Sequence, residues 1–267
     1  MSFQPVLPLS GYAGWLFLER TADTQRATFN ESVPMQRATD AFREKIGAIR
    51  SAEDLVNDRA LLGVALGAFG LDDDINNKFF IRKILEEGTR EPEALANRLA
   101  DNRYADFSEA FGFGEVGGPR TALSFFADEI IDRYEAKQFE KAVGDQDTDM
   151  RLALNLAPAL GDIVDGSASD TARWFGMMGN APLRSLFETA LGFPSSFGTI
   201  DLDQQLEQFR DRSQATFGTS QIGDLLSPEN QEKMIRLFMI RSEAANMDYS
   251  GTSVALTLMQ QIRSPYS

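Results

Sequence analysis

Apolar residues recur every three or four positions along this chain, which is helical spacing rather than the alternation of a half-buried strand. Residues 50–113 carry the densest version of the pattern. Ser51 opens a Ser-Ala-Glu-Asp start in which the hydroxyl accepts an orphan first-turn amide and the carboxylates complement the positive helix end. From there apolar residues fall at Leu61, Leu62, Ala65, Leu66 and Phe69, and Gly70-Leu71 follows. That ending predicts a left-handed glycine with the next apolar residue folded back on the last turn. Asp72-Asp73-Asp74 begins a second helix with Phe80, Ile81, Ile84 and Leu85 inward and Gly88 at its end. A third opens near Glu91-Pro92 with Leu95 and Leu99 inward, and a fourth presents Tyr104, Phe107 and Phe111.

The same grammar covers the flanks. Residues 1–9, with two prolines, read as an extended lead-in, and Ser10 caps a helix running past Trp15 and Leu18 to about Phe29. Pro34 starts another that carries Phe42, Ile46 and Ile49. Beyond the glycine-rich 114–118 turn, one long helix is expected over 120–143, with Leu123, Phe126, Ile130 and Tyr134 inward. A further helix should end near Pro158 or Gly161. Shorter helices are expected over 167–175, 181–191 and 201–216, and Ser227-Pro228-Glu229 caps a last long one. The small polar residues 247–252 read as a break before an apolar tail over 254–262 that either docks on the fold or meets a partner.

Residues 183–193 echo residues 61–71 in the pattern apolar-x-x-apolar-apolar-x-x-Ala-apolar-Gly-apolar. Either the chain holds an old duplication or both stretches are simply helices with the same kind of end. The expected architecture is an all-α, multihelical fold in one domain over 1–267. It has two loosely similar lobes, 50–145 and 146–246, around a shared core, with an N-terminal helical segment over 10–49.

The blocks EDLVNDRALLGVALGAFGL, FIRKILEEG and ANRLADNRYADFSEAFGF resemble, in that order, the bacterial family called domain of unknown function 1217. The opening PVLPLSGYAGWLFLERT is similar to the start of its longer members. The resemblance implies an all-helical fold, no assigned reaction, and genes that often lie among flagellar genes.

Composition narrows the chemistry. The 267 residues include no cysteine and no histidine, which removes disulfides, thiolate nucleophiles, the usual zinc sites and the commonest general base. Forty acids against 26 bases give a formal net charge of −14, so nucleic acid and anionic membrane surfaces are disfavoured partners. No apolar run approaches the ~18 residues of a membrane span, and the N-terminus lacks a secretory pattern. The expected location is the cytoplasm, or association with the flagellum.

Candidate chemistry is thin. Gly112-Phe-Gly114-Glu-Val-Gly117 fits the dinucleotide pattern by letter, yet a helix precedes it where the mechanism needs a strand, so it reads as a flexible turn. Asp145, Asp147 and Asp149 imitate the start of a calcium loop, but Met150 and Leu156 stand where it requires glycine and glutamate. Asp72–Asp74 and the Asp162, Asp165, Asp170 group read as solvated helix starts, and Arg103 and Tyr104 as a surface arginine beside a core tyrosine. No catalytic, cofactor-binding or metal residue is assigned, and no cofactor is expected. The expected function is a non-enzymatic structural or interaction protein associated with the flagellum. The alternatives are a cytoplasmic helper or chaperone for an exported flagellar protein and, second, a carboxylate-based enzyme.

Overall fold

Local signals start and stop most of the helices where the sequence puts them. The computed structural model describes the backbone of residues 3–99 and 101–262, and the side chains of 3–99 and 101–246. Those residues form thirteen α-helices joined by turns and short 3-10 segments, with no strand among them; the fold is all-α.

The chain divides into two compact units, the first built on Leu18–Thr148 and the second on Pro8–Phe17 and the residues from Asp149 onward. The first helix, α1 (Gly11–Asn30), therefore contributes to both. In the first unit follow α2 (Val33–Lys45), α3 (Ala52–Asn57), α4 (Arg59–Gly67), α5 (Lys78–Glu87), α6 (Leu95–Arg98), α7 (Arg103–Phe111) and α8 (Phe126–Gly144). The Ser51 hydroxyl accepts from the Asp54 amide at 3.1 Å and the Asp54 carboxylate accepts from the Ser51 amide at 3.1 Å, a reciprocal capping box. The Ser51 hydroxyl also donates to the Asp54 carboxylate at 2.7 Å, and this bond leads the contacts that hold the Asp54 carboxyl below its ordinary pKa. Leu55, Leu62, Ile81, Ile84, Phe107, Phe111, Phe126 and Ile130 interlock as one buried core. Each such side chain contributes about 1.5–3 kcal/mol by leaving water.

Four first-unit expectations are corrected. Asp72–Asp74 do not open α5, which starts at Lys78 after a separate 3-10 turn over Asp72–Asn76. The stretch after Ser51 holds two helices, because Asp58 ends α3 and its carboxylate takes the Ala60 and Leu61 amides that open α4. The helix expected at Glu91-Pro92 is only the single turn α6, since Glu87 accepts from the Leu95 amide at 2.6 Å and Asn97 donates to the Thr89 and Glu91 carbonyls. Side chains satisfy this backbone without a helix. Finally, α8 begins at Phe126. The Thr121 hydroxyl donates to the Ile49 carbonyl at 2.7 Å and pins a 3-10 turn, leaving Leu123 extended and exposed.

The second unit holds α9 (Thr148–Gly166), α10 (Asp170–Gly179), α11 (Ala181–Leu191), α12 (Leu202–Phe217) and α13 (Pro228–Ile262). Trp174, Phe187 and Phe209 form its aromatic centre, and α11 packs on α13, where Met234, Ile235, Phe238 and Met239 are buried. Pro158 does not end α9: Leu156 and Leu160 are buried while Pro158 faces outward, so packing offsets the lost amide. The break expected over 247–252 is also absent, because α13 continues through it. The side chains of the apolar tail, and hence the docking expected of it, lie outside the described residues.

The two echoing helix ends share one local geometry. Gly70 (φ +67°) and Gly192 (φ +72°) are both left-handed, and the amides of Leu71 and Phe193 each reach back to a carbonyl, Leu66 or Glu188, at 2.9 Å. A 3-10 segment follows in each case, Asp72–Asn76 and Ser195–Thr199.

Candidate functional site

Several polar side chains gather around the 3-10 turn after Gly70. Folding Leu71 back on α4 swings Asp72 toward α8, where it accepts from Gln138 Nε2 at 2.9 Å and Lys141 Nζ at 3.0 Å. Burial pushes the Asp72 carboxyl up, but these two donors outweigh it and hold the group below the usual carboxylate range. Burial, then the Asp72 charge, raises the Tyr134 phenol. Asp74 accepts from Asn77 Nδ2 at 2.7 Å and from the Tyr104 hydroxyl at 2.6 Å. The Tyr104 ring stands edge-on to Phe80, centroids 5.2 Å apart. Arg103 grips Asp101 through several nitrogens, the shortest contact 2.7 Å, and donates through Nη1 to the Gly70 carbonyl. The arginine thus closes the C-terminal end of α4.

Burial, then the hydrogen bond to Asp74 and its charge, pushes the Tyr104 phenol up to about 12. It is a proton donor at neutral pH and a poor base. Raised above the ordinary value of 10.0, this group contributes stability that is complete below pH 10 and lost as pH rises through about 12. Tyr104→Phe is therefore expected to lower stability at pH 7 by about 1 kcal/mol, the modest figure suiting a half-exposed bond. Urea titrations of both proteins should show that gap closing above pH 10; a gap that stays constant would exclude the Asp74 bond as its source.

The glycine-rich loop is a packed turn rather than a flexible one. Gly112 (φ +71°) ends α7, and Gly114 lies against the end of α5, where a Cβ on it would stand 2.4 Å from the Gly88 nitrogen. Glu115 Oε1 accepts from the Thr89 amide at 2.7 Å and its hydroxyl at 2.9 Å. The close approach that the glycines permit is toward protein backbone.

The acidic groups do not converge either. Asp145 ends α8 and Asp149 lies in the first turn of α9, where it accepts from the Ser242 hydroxyl. Asp162 and Asp165 sit on α9, whereas Asp170 binds the Ile222 amide at 3.0 Å and Arg210 at 2.9 Å. Among the described residues no group of three or more His, Cys, Asp or Glu is placed to hold a metal ion. No described helix is long and apolar enough to cross a membrane.

An open groove of about 510 Å³ lies beside Asp72. Ala38 and Ala41 of α2, Ala60, Gly63 and Val64 of α4, and Ile75 and Tyr134 are among the residues that line it. Arg37 and Arg59 stand among its lining residues, both exposed, and Arg59 donates to Asn76 Oδ1 at 3.0 Å. Sequence reasoning missed this groove and the Gln138–Lys141 pair. The only local trace of the groove is small residues three apart on two helices.

No curated protein matches the chain. Its structure is similar to the crystal structure of protein AGR_C_984 from Agrobacterium tumefaciens, with a TM-score of 0.71 and 26% sequence identity. That likeness covers 91% of this chain and 99% of the other. The family model described as protein of unknown function (DUF1217) matches residues 68–230, so that the Gly70 turn, the glycine loop and the Trp174 centre all fall inside it, and the chain belongs to that family.

Proposed function

We propose that this protein works through contact with another protein and carries out no reaction of its own, in a setting connected with the flagellum. The observation that carries the reading is that the groups most suited to chemistry are engaged in holding the fold. Asp72 is tied to Gln138 and Lys141, Asp74 to Tyr104, Arg103 to Gly70 and Asp101, and Asp170 to Arg210 and Ile222. What remains for function is the helical surface. The flagellar setting is what the family resemblance implies, through the genes expected to neighbour its members, and it is an argument by association. A helper that holds a segment of an exported protein is the second reading, and the open groove with its apolar lining residues favours it.

Deleting the gene and scoring swimming, with affinity capture of the tagged full chain, tests the proposal. Impaired motility and reproducible capture of a flagellar protein are expected. Normal swimming together with no captured protein would remove the reading.

A further inference from the structure

The groove of the first unit specifies its occupant more narrowly than "protein". Its lining includes two pairs of small residues, Ala38 with Ala41 and Ala60 with Gly63, each pair three positions apart on its helix. Side chains this short let a third helix approach closely, because the distance between packed helices is set by the residues at the contact. A leucine in place of these alanines would fill the space. The groove is open to solvent rather than enclosed, and a segment of polypeptide can enter such a site.

Charge selects among such segments. The chain as a whole is strongly acidic, with a formal net charge of −14, so an acidic partner is repelled on average. At this groove the balance is locally reversed. Asp72 is matched by Lys141, while Arg37 and Arg59, both exposed, form no ion pair with a described residue. Guanidinium groups recognise carboxylates through paired hydrogen bonds, so they supply orientation as well as attraction.

We infer that the groove between α2 and α4 receives an amphipathic helical segment of a partner protein, with small apolar residues against its alanines and carboxylates on Arg37 and Arg59. This rests on the contact reading above and adds the surface and the chemistry of what it binds.

The test places a photo-crosslinking amino acid at Ala60 of the full chain, with Thr28 as an exposed control, in cells that make the protein naturally. Crosslinked peptides are mapped by mass spectrometry. The expected result is a crosslink from position 60 to a partner segment bearing Asp or Glu beside an apolar helical face. Its yield should fall at least tenfold in the Arg37→Glu, Arg59→Glu double variant and persist in Arg37→Lys, Arg59→Lys. Both arginines are exposed, so melting curves should match the parent and separate lost binding from lost folding. A mapped segment without carboxylates, a crosslink to a second copy of this chain, or a yield indifferent to charge reversal overturns the inference. No crosslink at position 60 while affinity capture still yields a partner overturns the groove and leaves the contact reading standing. Failure of both removes both.

Discussion

Gly114→Val is expected to destabilise the first unit by about 3 kcal/mol or more, the upper range for forcing extra atoms into a packed site. Gly114 has no room for any side chain. A Cβ there would stand 2.4 Å from the Gly88 nitrogen and 2.7 Å from the Glu86 carbonyl oxygen, both backbone atoms that cannot rotate aside. Gly88 cannot yield easily, because its own conformation (φ +69°) ends α5. The strain is therefore relieved only by lifting the loop, which also breaks the Glu115 bonds to Thr89. The melting midpoint of the first unit should fall by about 10 °C. Gly117→Ala is the internal control: its Cβ meets nothing within 4 Å, and it should melt with the parent or slightly above it. A Gly114→Val protein that melts with the parent would show that the loop is not docked on α5. The same pair of variants separates helix-end packing from phosphate binding, for which all three glycines of the motif would matter.

That motif marks where sequence reading reaches its limit. Features decided within one helical turn were legible: the Ser51 capping box and the left-handed ends at Gly70 and Gly192 depend only on neighbours. Competition between local and tertiary effects was not. Pro158 has the missing amide that normally ends a helix, yet burial of Leu156 and Leu160 on the opposite face carries α9 to Gly166. Asp58 was hidden because the apolar rhythm runs straight across it, although an aspartate before an Ala-Leu-Leu run is a good start signal in itself. The ties that hold the Gly70 turn were beyond reach for a different reason. Gln138 and Lys141 lie 66 and 69 positions from Asp72, and no local pattern encodes which of forty acids a given cation will meet. The groove is a void left by small residues on separate helices, so it becomes visible only when those helices are placed side by side.

Trp174→Ala should be the most damaging single change in the second unit, at about 3–5 kcal/mol for deleting a buried aromatic side chain. Trp174 is 0% exposed and stands at the hub of the unit's rings. It stacks on Phe209 with centroids 6.1 Å apart and meets Phe187 edge-on at 6.2 Å. Phe209 in turn packs edge-on against Phe193 and Phe197, so the cavity would open beneath the whole cluster. The indole nitrogen also donates to the Ser220 carbonyl at 3.0 Å, a bond that holds the turn after α12 and that alanine cannot replace. Trp174→Phe separates the two losses: it keeps most of the volume, forfeits the donor, and should cost about 1–3 kcal/mol. The chain has two tryptophans, and the other, Trp15, is buried in the same unit. In both variants Trp15 is the remaining tryptophan, and its fluorescence reports on the second unit, where it is buried. Its urea midpoint should move down by about 1.5 M in Trp174→Ala and by less in Trp174→Phe. An unchanged midpoint in the alanine variant would mean that the second unit is not held together at Trp174, and that its stability comes instead from the packing of α11 on α13.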